Sequence, residues 1–257
     1  MKTIAFIGGG RITKIILQAF ANKNLKFERI FVYDPVEETL GKLKNCFTDI
    51  EISHESLYPA FTPDVLFLAV HPPVMAETLQ KIKPSLKPET ILISLAPKVT
   101  IAKMTEILGG FSTIARVNPS ATSYINDGIN PVAFGPGMNE KARKQTLELL
   151  GNLGQVPVVS EDKIEAYALI SAMGSTYFWF QIQELKRLAL KFGMEETEAN
   201  QTISEMLKGS AATLFNSGLT PAEVMDLVPV KPLAEYEEPI KSYYDSKLSA
   251  IYEKIKP

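Results

Sequence analysis

Apolar residues along this chain follow two rhythms. As far as residue 160, short runs rich in β-branched and aromatic residues predict strands at Thr3–Ile7, Ile30–Tyr33, Val65–Val70, Thr90–Leu95 and Phe111–Val117. The stretches between them have helical spacing. In Ile12–Phe20 the residues Ile12, Ile15, Ile16, Ala19 and Phe20 fall at i, i+3, i+4, i+7 and i+8, one face of a helix, and Val74–Ile82 and Ile101–Leu108 behave alike. The strands are apolar at nearly every position rather than at alternate ones, which suits a parallel sheet covered on both faces. Strand–helix alternation of this kind predicts right-handed crossovers and a doubly wound α/β fold. Two more strands, Pro131–Phe134 and Gln155–Val159, flank a helix over Asn139–Leu150 and are expected to extend the same sheet.

Beyond Ser160 the rhythm is helical alone. Glu161–Phe192 contains no proline and one glycine, Gly174, and reads as a long helix. Glu161 and Asp162 stand at its start, where the helix dipole favours acids. Glu195–Asn216, Pro221–Leu227 and Pro239–Ile255 follow, with Thr220 as an N-cap before a first-turn proline. Two domains are therefore expected, 1–160 and 161–257. Tyr177, Phe178, Trp179 and Phe180 are consecutive and point all round their helix, so that helix should be covered on every side. A second copy of the chain is the simplest cover, which predicts an intertwined homodimer, with assembly beyond the dimer left open.

Composition narrows the chemistry. With 27 basic and 29 acidic residues and a net charge of -2, the chain lacks the basic footprint of a nucleic-acid binder. A single cysteine, Cys46, forms no internal disulfide, and with two histidines, His54 and His71, a Cys/His metal site is not expected. The opening MKTIAFIGGG is too short for a signal peptide, and no run reaches the roughly 18 apolar residues of a membrane span, so a cytoplasmic location is expected.

The candidate chemistry begins at Gly8-Gly9-Gly10, between a strand and a helix. In a dinucleotide fingerprint the first glycine makes the turn, the second lets the backbone approach the pyrophosphate, and the third lets the helix pack on the strand. Gly8 and Gly10 fit the first two places, and Ile12 follows in the first helical turn; the third place holds the larger Thr13. Asp34, at the end of the second strand, is placed to accept hydrogen bonds from an adenosine ribose, which favours NAD. Arg11 can either reach a 2'-phosphate or remain in solvent, so NAD and NADP both stand as cofactors.

The segments LAVHPP (Leu68–Pro73), ILISLAPKVTI (Ile91–Ile101), ARVNPSAT (Ala115–Thr122) and ALISAMGSTYFWF (Ala168–Phe180) then follow in order. In that order and spacing the chain resembles the pyrroline-5-carboxylate reductase family, whose corresponding words are close to AVKP, ISxxAGVxI, RxMPN and SGSGPAY. The resemblance spans most of the chain. It implies a Rossmann-like domain, a helical dimerisation domain, and hydride transfer from NADP or NAD to the C=N bond of a cyclic imino acid, a step of proline biosynthesis.

Departures from the family's words mark where substrate is in question. His71 stands where the family has lysine, and Asn118-Pro119-Ser120 replaces Met-Pro-Asn. The family's Gly-Gly-Thr-Thr segment, which binds the imino-acid carboxylate, corresponds here to Met225–Leu233, with Pro229, Lys231 and Pro232 and neither a glycine pair nor threonines. Prolines remove N–H donors, so this segment does not cradle a carboxylate in the same way. The same scaffold acting on another imine or on a keto or hydroxy acid, and a dinucleotide-binding regulator without catalysis, are the competing readings.

The residues expected to carry the reaction follow from both lines. His71, at the carboxyl end of a strand, can donate a proton or a hydrogen bond, or only pack beside the cofactor. Its neighbours Val70 and Pro72, with Ala96 at the next strand end, are expected to line the cofactor cleft. Asn118 offers donors and an acceptor to the nicotinamide amide, or only shapes an Asn-Pro turn. Ser175 and Thr176 are assigned to catalysis by their place in the motif, and Ser120, Ser171 and Lys231 to substrate binding. A serine inside a helix can instead bond back to a preceding carbonyl.

Overall fold

The computed structural model describes residues 3–59 and 61–257. Met1 and Lys2, part of the stretch read above as lacking a signal peptide, lie outside the described residues. By chain contacts the protein divides into two compact units: one runs as far as Met173 and includes Ile251–Pro257, the other is Gly174–Ala250.

The first unit begins with β1 (Thr3–Ile7), α1 (Arg11–Asn22), β2 (Arg29–Tyr33), α2 (Glu37–Cys46) and β3 (Glu51–Ser53). It continues with β4 (Val65–Leu68), α3 (Pro72–Ile82), β5 (Ile91–Ser94), α4 (Ile101–Ile107) and β6 (Ile114–Val117). Among the described residues these strands form a sheet ordered β3-β2-β1-β4-β5-β6, all parallel, with β8 (Val132–Phe134) added antiparallel at the β6 edge. The chain reverses sheet direction between β3 and β4, which sets β1 beside β4 and opens a crevice at their carboxyl ends. Successive residues of β1 and β4 feed opposite faces. Ile4, Phe6, Val65 and Phe67 enter one core, and Ala5, Ile7, Leu66 and Leu68 the other. That two-sided burial is why these strands lack polar alternation. Phe6 stacks on Phe67 at 4.6 Å between centroids.

Three expectations need correction. Gln155–Val159 does not join the large sheet as a strand. Gly154–Gln155 (β9) pairs instead with Gly128–Ile129 (β7), and only an isolated bridge joins Val158 to Val132. Pro157 explains it, since a residue without an N–H cannot continue the ladder. The strand expected to run to Val70 stops at Leu68, where the chain turns toward the crevice. The helix expected over Glu161–Phe192 is also broken: a 3₁₀ turn (Glu161–Lys163), α6 (Ile164–Tyr167), a π-helical turn (Ala168–Ala172) and then α7 (Gly174–Lys191). The Ser171 hydroxyl donates to the Tyr167 carbonyl at 2.8 Å within that turn, a back-bond of the kind that bends helices. Between β8 and β9 lies α5 (Glu140–Leu150), as expected.

The second unit holds α7 (from Gly174), α8 (Glu196–Asn216), α9 (Pro221–Asp226) and most of α10 (Glu237–Ile255). Lys186 and Glu196 pair at 2.6 Å, and Tyr177 meets Tyr244 edge-on at 5.7 Å. A capping box starts α9: the Thr220 hydroxyl accepts from the Glu223 N–H while the Glu223 carboxylate accepts from the Thr220 N–H. Within this unit only Gly174, Ala199 and Ile203 are buried. No helix among the described residues is long and apolar enough to cross a membrane.

Candidate active site

The crevice is built at the β1–α1 junction. Gly8 adopts φ +107°, and a Cβ there would lie 2.4 Å from the Ala69 carbonyl oxygen, so only glycine fits where the chain passes beside β4. Gly10 has the opposite environment. A Cβ on it would meet nothing within 4 Å, leaving open space in front of the backbone. Gly10 is also the N-cap of α1 and supplies no side-chain cap, and the first turn of α1 carries no acid. Its orphan N–H groups and positive dipole end face that space, as binding a pyrophosphate requires.

Thr13, the departure from the glycine fingerprint, is fully buried and donates its hydroxyl hydrogen bond to the Gly8 carbonyl at 2.5 Å. The side chain that widens the helix–strand contact thus also ties the helix to the turn.

Asp34 follows β2 and is partly exposed. Its carboxylate accepts from the Gly9 N–H at 2.8 Å and from the Val36 N–H at 2.9 Å. These bonds lock its position at the crevice rim, and each oxygen retains a lone pair for a ribose hydroxyl.

Two adjoining openings flank Gly10 and His71. One, of about 520 Å³, is lined by Gly8, Asp34, Val70, His71 and Lys81 among others. The other, of about 580 Å³, is lined by Gly9, Arg11, Ile12, Lys14 and Lys42 among others. Two of the rim's cations are already paired. Lys81 meets Glu77 at 2.6 Å, which raises the ammonium and lowers the carboxyl from their ordinary values, chiefly through the hydrogen bond between them. Lys42 meets Glu38 at 2.6 Å, and the bond holds that carboxyl low. Among the described residues Arg11 and Lys14 form no ion pair, so they remain available to an anion.

The structure gathers Gly8, Gly10, Arg11, Ile12, Asp34, Val70 and His71 around these openings. His71 is exposed and caps α3 in extended conformation without a side-chain capping bond. Pro72 and Pro73 then begin the helix, so two of its N-terminal N–H donors do not exist. Anion binding therefore falls to α1. Ala96 is buried beyond the end of β5. Asn118, beyond the end of β6, donates its N–H to the Pro131 carbonyl at 3.2 Å, and its side-chain nitrogen is buried with no protein partner.

The other candidate residues lie elsewhere. Ser120 is buried and turned inward, sharing a hydrogen bond of 2.9 Å with the Thr122 hydroxyl and capping a short 3₁₀ turn. Ser171 is engaged by Tyr167 as described. Ser175 and Thr176 occupy the first turn of α7, half-buried and exposed, and Lys231 is exposed; all three belong to the second unit.

Sequence reasoning did not single out Arg116. Its side chain is only 1% exposed, yet it carries a charge. It donates to Glu161 at 3.0 Å and to Glu165 at 2.5 Å. The signal was present: an arginine inside the apolar run Ile114–Val117 has to be paired, and Glu161 and Glu165 stand four residues apart, on one helical face. Among the described residues no three of His, Cys, Asp and Glu are grouped as a metal site needs.

Comparison with known proteins agrees with this geometry. Residues 3–98 match the family described as NADP oxidoreductase coenzyme F420-dependent, and residues 161–231 match that described as pyrroline-5-carboxylate reductase dimerisation. The pyrroline-5-carboxylate reductase of Haemophilus influenzae is 26% identical over 212 residues, 82% of this chain and 77% of the relative. That of Escherichia coli is 26% identical over 228 residues, 88% of this chain and 84% of the relative. A crystal structure of the Plasmodium falciparum pyrroline carboxylate reductase with NADP bound superposes with a TM-score of 0.80 at 21% identity, covering 99% of this chain and 97% of that one. The two chains share a fold.

Proposed function

We propose that this chain, which belongs to the pyrroline-5-carboxylate reductase family, is an NAD(P)H-dependent reductase of a cyclic imino acid, acting on the CH–NH group in proline biosynthesis. The observation that carries the reading is the cradle itself. A left-handed Gly8 wedged against Ala69, open space before Gly10 and the uncapped start of α1 form a site that a dinucleotide pyrophosphate fits.

When bound, a reduced nicotinamide would supply the hydride for the imine carbon, whose nitrogen ends protonated. An iminium already carries its charge, so the protein's work is mostly positioning. Gly8, Gly10 and Ile12 form the pyrophosphate cradle, with Arg11 beside it as a counter-charge. Asp34 would hold the adenosine ribose. Val70, Pro72, Ala96 and the unpartnered Asn118 amide border the nicotinamide half. His71, exposed between the two openings, is the group placed to hydrogen-bond substrate or give up a proton. Ser175 and Thr176 are assigned to the reacting end, and Ser120, Ser171 and Lys231 to substrate, although Ser120 and Ser171 must first release the hydrogen bonds described above. The same proposal takes the protein to be a cytoplasmic homodimer, joined through its helical unit, that binds neither nucleic acid nor metal.

The locked Asp34 carboxylate favours a ribose with a free 2'-hydroxyl, while Arg11 and Lys14 favour added phosphate. Fluorescence titration with NADH and NADPH, followed by turnover with pyrroline-5-carboxylate on the same sample, tests the proposal. Tight binding of either cofactor without any turnover would defeat it.

A second reading rests on one observation. Met225–Leu233 has two prolines and exposed Val228, Val230 and Leu233 in place of a donor-rich carboxylate cradle. This favours an imine or keto acid bearing an apolar substituent. A substrate panel on which such a compound exceeds pyrroline-5-carboxylate in kcat/KM would establish it.

A further inference from the structure

The two carboxylates around the buried Arg116 lie outside the cradle, but they are bonded to the backbone that borders it. Glu161 accepts from the Ile101 N–H at 2.7 Å as well as from Arg116. The Glu165 oxygen that takes Arg116 also lies 3.4 Å from the Lys98 nitrogen, in hydrogen-bonding geometry. Lys98 lies within the turn from Ala96 to Thr100 that joins β5 to α4, and Ile101 follows it directly. Within that turn Lys98 adopts φ +70°, a left-handed conformation that a non-glycine residue keeps only when its surroundings hold it there. Glu161 therefore meets the first N–H of α4 from outside the helix, while the Thr100 hydroxyl accepts from the Lys103 N–H at 3.1 Å. Three residues beyond Glu165 the π-helical turn Ala168–Ala172 begins, a helical irregularity that is frequent at functional sites.

The turn's position gives the arrangement meaning. In a doubly wound sheet the strands on the two sides of the crevice hold different halves of a dinucleotide. Asp34 places the adenosine half over β1–β3, so the carboxyl ends of β4–β6, including this turn, take the nicotinamide half. Two carboxylates and one guanidinium gathered under one turn exceed what packing requires, since apolar residues of similar volume fill such a space at no loss of stability.

We infer that Arg116, Glu161 and Glu165 form a positioning clamp that fixes the Ala96–Thr100 turn against the nicotinamide end of the cofactor. The clamp couples that turn to the segment leading into the π-helical turn. This assignment rests on the dinucleotide reading for its effect on binding, but not for its effect on the turn.

The test uses the purified full-length protein and the variants Glu161→Ala, Glu161→Gln and Glu165→Gln. Glu161 is partly exposed, so its variants keep the test open if Glu165→Gln fails to fold. Amide exchange by NMR should show the Ile101 and Lys98 amides exchanging at least tenfold faster in Glu161→Ala, with partial recovery in Glu161→Gln. Affinity for ADP-ribose should stay within twofold of the parent, whereas affinity for NADH or NADPH and kcat should each fall at least fivefold. Unchanged exchange at Lys98 and Ile101 would overturn the clamp. So would faster exchange with parental cofactor affinity and kcat. A parent protein that binds neither ADP-ribose nor NAD(P)H would instead overturn the dinucleotide reading, and the exchange data would still decide whether the clamp holds the turn.

Discussion

In the first unit every residue of β4, β5 and β6 is buried, and two cores fill the faces of the sheet. In the second, α7 carries Phe178, Trp179 and Phe180 at 50%, 50% and 68% exposure, and three residues of the whole unit are buried. Both are rich in apolar residues. The first satisfies them within one chain, whereas the second presents Phe192, Phe215, Met225 and Tyr243 as well, each more than half exposed. An exposed apolar surface of that extent marks an interaction site, and the match of residues 161–231 to the family described as pyrroline-5-carboxylate reductase dimerisation supports a second copy of this chain as its cover. The lesson is that a hydrophobic pattern can specify either an interior or an interface, and helical periodicity alone does not distinguish them.

The most severe way to break this contrast is to charge the exposed face. Replacing Trp179 and Phe180 together by aspartate should abolish assembly, giving a monomer by light scattering, with the first unit's sheet retained by circular dichroism. Interface aromatics of this kind each contribute roughly 2–4 kcal/mol when truncated. The opposite test strikes the first unit's interior. Arg116→Ala leaves Glu165 buried without its partner and should destabilise the protein by about 3–5 kcal/mol in chemical denaturation.

Smaller effects sharpen the site. Gly8→Ala forces a side chain onto the Ala69 carbonyl at positive φ, at a cost of at least about 1–3 kcal/mol, and should weaken NAD(P)H binding by more than tenfold in a fluorescence titration. Asp34→Ser removes the carboxylate proposed to hold the ribose, and with it a negative charge. The ratio of NADPH to NADH affinity should then rise about tenfold, a change of about 1.4 kcal/mol. Thr13→Val deletes one buried hydrogen bond and leaves the Gly8 carbonyl without it, so stability should fall by about 1 kcal/mol with dimerisation unchanged.

The sequence made the parallel sheet legible because doubly buried strands such as Ile91–Ser94 cannot hide their apolar runs. Gly8, Gly10 and Asp34 were legible as a group, since strand, turn, helix and acid occur in the required order. α2 and β3 escaped notice because Glu37–Cys46 buries only Leu40 and Leu43 and Glu51–Ser53 is a short edge strand facing solvent. The break before α7 was hidden because Ser171 and Gly174 are each tolerated inside helices, so neither residue by itself marks the π-turn in the sequence. The clamp was hidden because it joins residues 45 and 49 positions apart along the chain, and pairwise contact at that range leaves no periodic trace.

The most direct test of the central claim follows the hydride. With NADPH or NADH deuterated at nicotinamide C4 and pyrroline-5-carboxylate as substrate, the account predicts proline one mass unit heavier, formed at the rate at which the reduced cofactor is consumed. A protein that binds the cofactor tightly yet yields no labelled proline would contradict it.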